Sequence, residues 1–297
     1  MMTVKIMERV SRHSALGIRF WDIAGATSNV EGLEVEIYPR ANPYARSALT
    51  PNRSGVYVAH TVPDLREFEY SNDEPDVLWA TALKPYRVKV NDPRGRFLPI
   101  EFDADLPARG LFTWLAPWLS PPQSIALPTE EGSPPPGLLE RVPLFSAPSR
   151  PVPEPLAVVY AQLREFGSGR EGAWSLLGVS IDGRTRGLGL ADEQGRVAVM
   201  FPYPEPPRML LASPPEARND FSWQLALTAF WSPASPPPPA VPDFADLGVV
   251  LAQLSQPRDV IESTASPALP LRMDYRVPVT ARTAGMPPQD ASYLFIA

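Results

Sequence analysis

Proline constrains this chain more than any other residue, filling 39 of its 297 positions, more than twice the usual share of about 5%. Its ring fixes φ and removes the backbone N–H, so it breaks helix interiors and is excluded from central strands. A chain so rich in it is expected to build short strands, many turns and stiff extended connections. Two proline-rich runs, "SPPQSIALPTEEGSPPPGLLERVPLFSAPSRPVPEP" at 120–155 and "SPASPPPPAVP" at 232–242, divide the sequence. The division gives a block at 1–119, a linker at 120–155, a second block at 156–231, and a proline-rich segment with a tail at 232–297. The linker also carries Leu138, Leu139, Val142, Leu144 and Phe145, so part of it is expected to pack along a domain surface.

Both blocks read as β-structure. Leu33, Val35 and Ile37 alternate with Glu34, Glu36 and Tyr38; Tyr86, Val88 and Val90 repeat the pattern. In the second block Phe221, Trp223, Leu225, Leu227 and Ala229 share one face. This period of two marks half-buried strands. The expected fold is all-β: two small antiparallel sandwiches joined by the proline linker, with one short C-terminal helix. That helix is read from Phe244, Leu247, Val250, Leu251 and Leu254, with Asp243 as N-cap and Asp246 in its first turn. "LRMDYRVPVTAR" and "SYLFIA" are strand candidates that return to the second sandwich or pair with a neighbour. The two blocks also share an order of strand, polar glycine turn and Val-rich strand, a weak internal repeat.

The remaining composition removes function classes. Net charge is −6 and the arginines are scattered, which argues against a nucleic-acid partner. Cysteine is absent, so disulfides, thiolate zinc sites and cysteine nucleophiles are excluded. His13 and His60 are the only histidines, too few for a histidine metal site or a Ser-His-Asp triad. No run of about 18 apolar residues is present, so no membrane insertion is expected. "MMTVKIMERVSRHS" lacks the apolar core of a signal peptide. The expected location is cytoplasmic, with assembly into a particle that can be released.

"GLGLADEQGRVAVMFPYP" resembles the carboxypeptidase regulatory-like, transthyretin-related β-sandwich, with Ala191, Asp192, Gly195 and Val197 on its turn motif. "PNRSGVY" matches more loosely through Asn52, Gly55, Val56 and Tyr57. The resemblance implies a fold and no activity, because such modules are usually accessory. The wider layout of "GIRFWD", "VEIYP", "SGVY", "DPRGRFLPIEF", the proline linker and "GLADEQGRVAVMFPYPEP" resembles components of contractile injection systems and phage-tail-like particles.

Candidate sites follow. In "ADEQGR", Asp192 and Glu193 could bind calcium or act as an acid/base pair. The competing reading is a turn, in which Asp192 bonds the backbone and Gly195 takes positive φ. "DPRGR" has the same form, with Asp92 and Gly95. The acidic run "EYSNDEPD" at 69–76 lacks the spacing of a calcium loop. "RGLFTWLAPWLS" offers Leu111, Phe112, Trp114 and Trp118. The two tryptophans would share a face in one helical turn and could anchor a partner subunit. Capping the first sandwich, filling the interdomain joint, or a sugar platform are the alternatives. Tyr293, Leu294, Phe295 and Ile296 could extend a neighbour's sheet if unpaired. No catalytic constellation, metal site or cofactor is expected. The expected function is a non-enzymatic assembly component of a phage-tail-like particle, multi-copy and in contact with other subunits. A soluble carbohydrate- or peptide-binding module is the alternative.

Overall fold

The computed structural model describes residues 12–25, 30–71, 75–115, 138–139, 141–205, 221–232, 244–261, 264 and 271–297. Strands dominate them, and the all-β expectation with one short helix near the C-terminus holds. Two further helices of four residues each, Arg66–Glu69 and Pro75–Leu78, lie in the first block, where no long helix was expected.

The first block forms a seven-stranded sheet in the order Leu16–Ile18, Tyr57–Ala59, Ser47–Pro51, Glu34–Pro39, Lys84–Asn91, Ile100–Leu106, Ala245–Asp246. All neighbours are antiparallel except the last pair. The alternation read from the sequence becomes the core face: Val35, Ile37, Tyr86, Val88, Val90, Ile100 and Phe102 are all buried in one cluster. The sheet curls until its far ends meet. Beyond Ile100–Leu106 the chain donates Ala108 N–H to Ala15 O (2.9 Å) and Phe112 N–H to Gly17 O (2.7 Å), on the opposite edge strand.

Two pieces from later in the chain seal this core. Val142–Leu144 pairs in parallel with Phe20–Asp22. On its other side, Leu98 N–H donates to Phe145 O and Ala147 N–H to Arg96 O, both at 2.9 Å. Val142, Leu144 and Phe145 are therefore interior residues, not a lining on a surface. Leu138–Leu139 forms a two-residue strand with Trp114–Leu115. The second piece is the helix Leu247–Ala252, whose Leu247, Val250 and Leu251 enter the same core. Its N-cap is Asp246, which accepts from Gly248 N–H (2.9 Å) and Val249 N–H (3.1 Å). This corrects the expected cap at Asp243, which lies outside the described residues. The helix starts late because Ala245 and Asp246 are held extended against Ile100 and Glu101.

The second block is two sheets face to face. One runs Arg196–Pro202, Leu156–Glu165, Leu294–Ile296, Val260–Ile261, with Val279–Thr280 also on Leu156–Glu165. The other runs Arg184–Leu190, Leu176–Ile181, Ser222–Phe230, Pro257–Arg258, with Leu271–Asp274 also on Ser222–Phe230. Val159, Leu163, Val179, Val197, Phe201, Trp223, Leu225, Met273 and Ile296 fill the space between. The tail strands thus return to the second sandwich. The two blocks meet along an apolar seam: Leu176, Leu188, Leu190 and Phe230 pack into the first block's core, while Ala229 faces the second. Gln253 bridges the seam, donating Nε2–H to Trp174 O (2.8 Å) and accepting Ser232 N–H (3.0 Å).

Candidate functional site

The acidic turns resolve in favour of architecture. Asp92 accepts from Arg94 N–H (3.3 Å), Arg96 N–H (2.8 Å) and Arg96 Nε (2.9 Å). Asp192 accepts from Gln194 N–H (2.9 Å), Arg196 N–H (2.9 Å) and Arg196 Nε (2.8 Å). Gly95 and Gly195 follow at φ 65° and 74°, in the left-handed region where a Cβ is strained. Burial works against the Asp92 charge, yet the bonds from Arg96 and Arg94 outweigh it and hold the carboxyl below its usual range. Asn52 repeats the turn without a charge, accepting from Ser54 N–H and Val56 N–H.

The other charged clusters are likewise committed to the fold. Glu69, from the acidic run, is buried and accepts Thr61 N–H (3.0 Å) and Val62 N–H (2.7 Å); residues 72–74 of that run lie outside the described residues. Arg87 binds Glu101 (2.8 Å), Asp103 (2.9 Å) and Asp246 (2.5 Å). Burial opposes its charge, but the three carboxylates raise its pKa further. His13 tilts against the Phe68 ring at 6.2 Å, and His60 is exposed. Among the described residues no three His, Cys, Asp or Glu are placed to hold a metal ion.

The aromatic segment is not a helical turn. Trp114 and Leu115 are extended and pair with Leu139 and Leu138, so the shared face expected of Trp114 and Trp118 has no helix to carry it. Trp118 lies outside the described residues. Leu111 bridges Gly17, and Phe112 packs on Phe102 at 5.4 Å. Both close the first sheet.

The terminal strand is not a free edge, which corrects the sheet-extension expectation. Leu294–Ile296 lies parallel to Leu163–Glu165 on one side and antiparallel to Val260–Ile261 on the other. Leu294, Phe295 and Ile296 are 1%, 4% and 0% exposed. Their three apolar side chains complete the second sandwich. Tyr293 stacks beneath Arg164, whose guanidinium carbon is 3.7 Å from the ring centroid.

One concave site emerges from residues that sequence reading passed over. Val152, Pro153, Glu154, Pro155, Leu156, Val158, Tyr203, Tyr275, Arg276 and Pro278 line a cavity of about 200 Å³. Tyr203 and Tyr275 meet edge to face at 4.8 Å and 63°. Trp223 backs Tyr203 at 5.7 Å, and Phe221 backs Tyr275 at 6.4 Å. Val277 N–H bonds Asp274 O (3.2 Å), closing a turn that puts Arg276 at φ 62°. Arg276 N–H donates to Tyr203 Oη (2.9 Å), which holds that left-handed residue in place. The Arg276 guanidinium lies 5.3 Å from the Tyr275 ring centroid. Neither it nor the Glu154 carboxylate has an ion-pair partner among the described residues.

A second exposed feature is Tyr44. It stands 92% exposed at the tip between Glu34–Pro39 and Ser47–Pro51. The tip is braced, with Tyr44 N–H bonded to Asn42 Oδ1 (3.2 Å) and Arg46 Nε to Pro43 O (2.9 Å).

Fold and site together define an all-β chain with a small aromatic groove and charged groups held by its own backbone. No protein-family model matches the chain, and no curated protein is similar to it at a significant level.

Proposed function

We propose that this chain is a non-enzymatic assembly component that works through protein–protein contacts. The observation that carries the reading is a contrast in how side chains are used. The carboxylates of Asp22, Glu69, Asp92 and Asp192 bind the chain's own amides and arginines. Tyr44, in contrast, is presented to solvent on a braced hairpin tip. A rigid exposed aromatic is a favoured anchor at protein interfaces. The resemblance of the segment order to contractile, phage-tail-like particle proteins supplies the setting, with other particle subunits as partners and the chain present in several copies.

The test uses particles purified from cells expressing the chain. Tyr44→Ser is expected to leave the thermal midpoint unchanged and to remove the protein from the particles. Normal incorporation would overturn the assignment of that tip. A soluble binding module is the second reading, favoured by the Tyr203–Tyr275 groove; recovery of the chain free of any particle would support it.

A further inference from the structure

We propose that the groove between Tyr203, Tyr275 and the 152–156 segment is a docking slot for an extended, proline-bearing peptide with charged flanks. The proposal rests on the protein-contact reading and names the chemistry of one partner.

Size comes first. About 200 Å³ falls below the roughly 300–1,000 Å³ of pockets that enclose a drug-sized ligand. It suits one or two small rings inserted from a chain lying across the opening. The walls suit the same guest. Tyr203 and Tyr275 meet at 63°, forming a notch instead of the flat platform on which a sugar ring would stack. Grooves lined by aromatic rings recognise polyproline helices, which arrive already extended and lose little entropy on binding. The rim is itself stiff, because Pro153, Pro155 and Pro278 line it.

Hydrogen bonding points the same way. A polyproline segment has carbonyl acceptors and no N–H donors, so its receptor must donate. Tyr203 Oη accepts from Arg276 N–H and has no other partner among the described residues, which leaves its own proton to donate outward. Charge then sets direction. Arg276 and Glu154 line the same cavity without ion-pair partners. A guest with an acidic residue at one end and a basic residue at the other satisfies both, in one orientation only.

The experiment titrates the full chain by calorimetry with two capped peptides, Glu-(Pro)5-Arg and Arg-(Pro)5-Glu, and with maltohexaose. One peptide is expected to bind, the reversed one at least threefold more weakly, and maltohexaose not at all. Tyr275→Ala, at a residue 37% exposed, should weaken the preferred peptide at least tenfold, with the thermal midpoint lowered only by the lost ring contacts to Tyr203 and Phe221. Tyr203→Phe keeps the ring and should weaken it about three- to tenfold, the worth of one neutral hydrogen bond. Glu154→Lys should abolish the preference between the two peptides, because both ends of the slot are then basic. No peptide binding at millimolar concentration, full binding by Tyr275→Ala, or binding of maltohexaose in place of the peptides would overturn the proposal. Each of those results leaves the particle test on Tyr44 standing, so the two readings fail separately.

Discussion

The same turn is built at Asp22 and at Asp92 and Asp192, but it is finished in two different ways. In all three an Asp accepts the amide two residues on: Ala24 (3.0 Å), Arg94 (3.3 Å) and Gln194 (2.9 Å). Each is followed at the third position by a glycine with positive φ, 75° at Gly25, 65° at Gly95 and 74° at Gly195. Asp92 and Asp192 then take an arginine four residues on, Arg96 or Arg196, with side chains 27% and 54% exposed. Asp22 has Ala26 at that position. Its guanidinium comes from Arg150, 128 residues away, which donates twice, at 3.1 and 2.7 Å, and is 6% exposed. Ser146 accepts a further bond (2.9 Å), and the Phe97 ring lies 4.8 Å away. A local pair closes a turn. The remote pair closes a turn and also pins the end of the first proline-rich run to the first block.

That difference sets the size of the effects. Arg150→Met strands a buried carboxylate and is expected to destabilise by about 3–5 kcal/mol, whereas Arg196→Ala should cost roughly 0–1 kcal/mol. Chemical denaturation of the two variants measures both, and equal losses would erase the distinction. Adding Asp22→Leu to Arg150→Met should recover much of the loss, because an apolar pair does not leave a buried charge unpaired.

The next effect separates the two local turns. A Cβ on Gly195 would sit 2.4 Å from Leu163 O, while one on Gly95 meets nothing within 4 Å. Gly95→Ala should cost only the left-handed strain, about 1–2 kcal/mol. Gly195→Ala adds a displaced backbone and should lower the melting temperature further. Matching melting temperatures would show that the second sandwich yields freely at that corner.

A last, small effect is acidic. The folded-state pKa of Asp92 is depressed, so its contribution is complete above the ordinary carboxylate range and is lost as pH falls through the lower folded value. Asp92→Asn should cost about 1 kcal/mol at neutral pH and progressively less toward pH 2. A constant penalty across that range, measured by thermal melts, would remove the ionic share of the turn.

The turns at Asp92 and Asp192 were legible because everything they need lies within five consecutive residues. The face of the helix was legible for the same reason: Leu247, Val250 and Leu251 are spaced to be buried together, and they are. Which core they enter was not, since periodicity reports a face and not its partner. The pattern of "SYLFIA" marks a strand, but local pattern cannot reveal that strands at 156–165 and 260–261 flank it on both sides. The groove was least legible. Its walls come from 152–158, Tyr203 and 275–278, and no single stretch of them carries a motif. A density of tyrosine and proline near strand ends was the one available signal.

The placement of residues 244–252 and 294–296 has a consequence for synthesis. The first block lacks an edge strand and the core side chains of Ala245, Leu247, Val250 and Leu251 until 244–252 exist. The second lacks an internal strand until 294–296 exist. A chain growing from its N-terminus therefore begins its second block before it can finish its first. The first stays open until 244–252 is made and the second until 294–296, and pairings across such long separations form slowly.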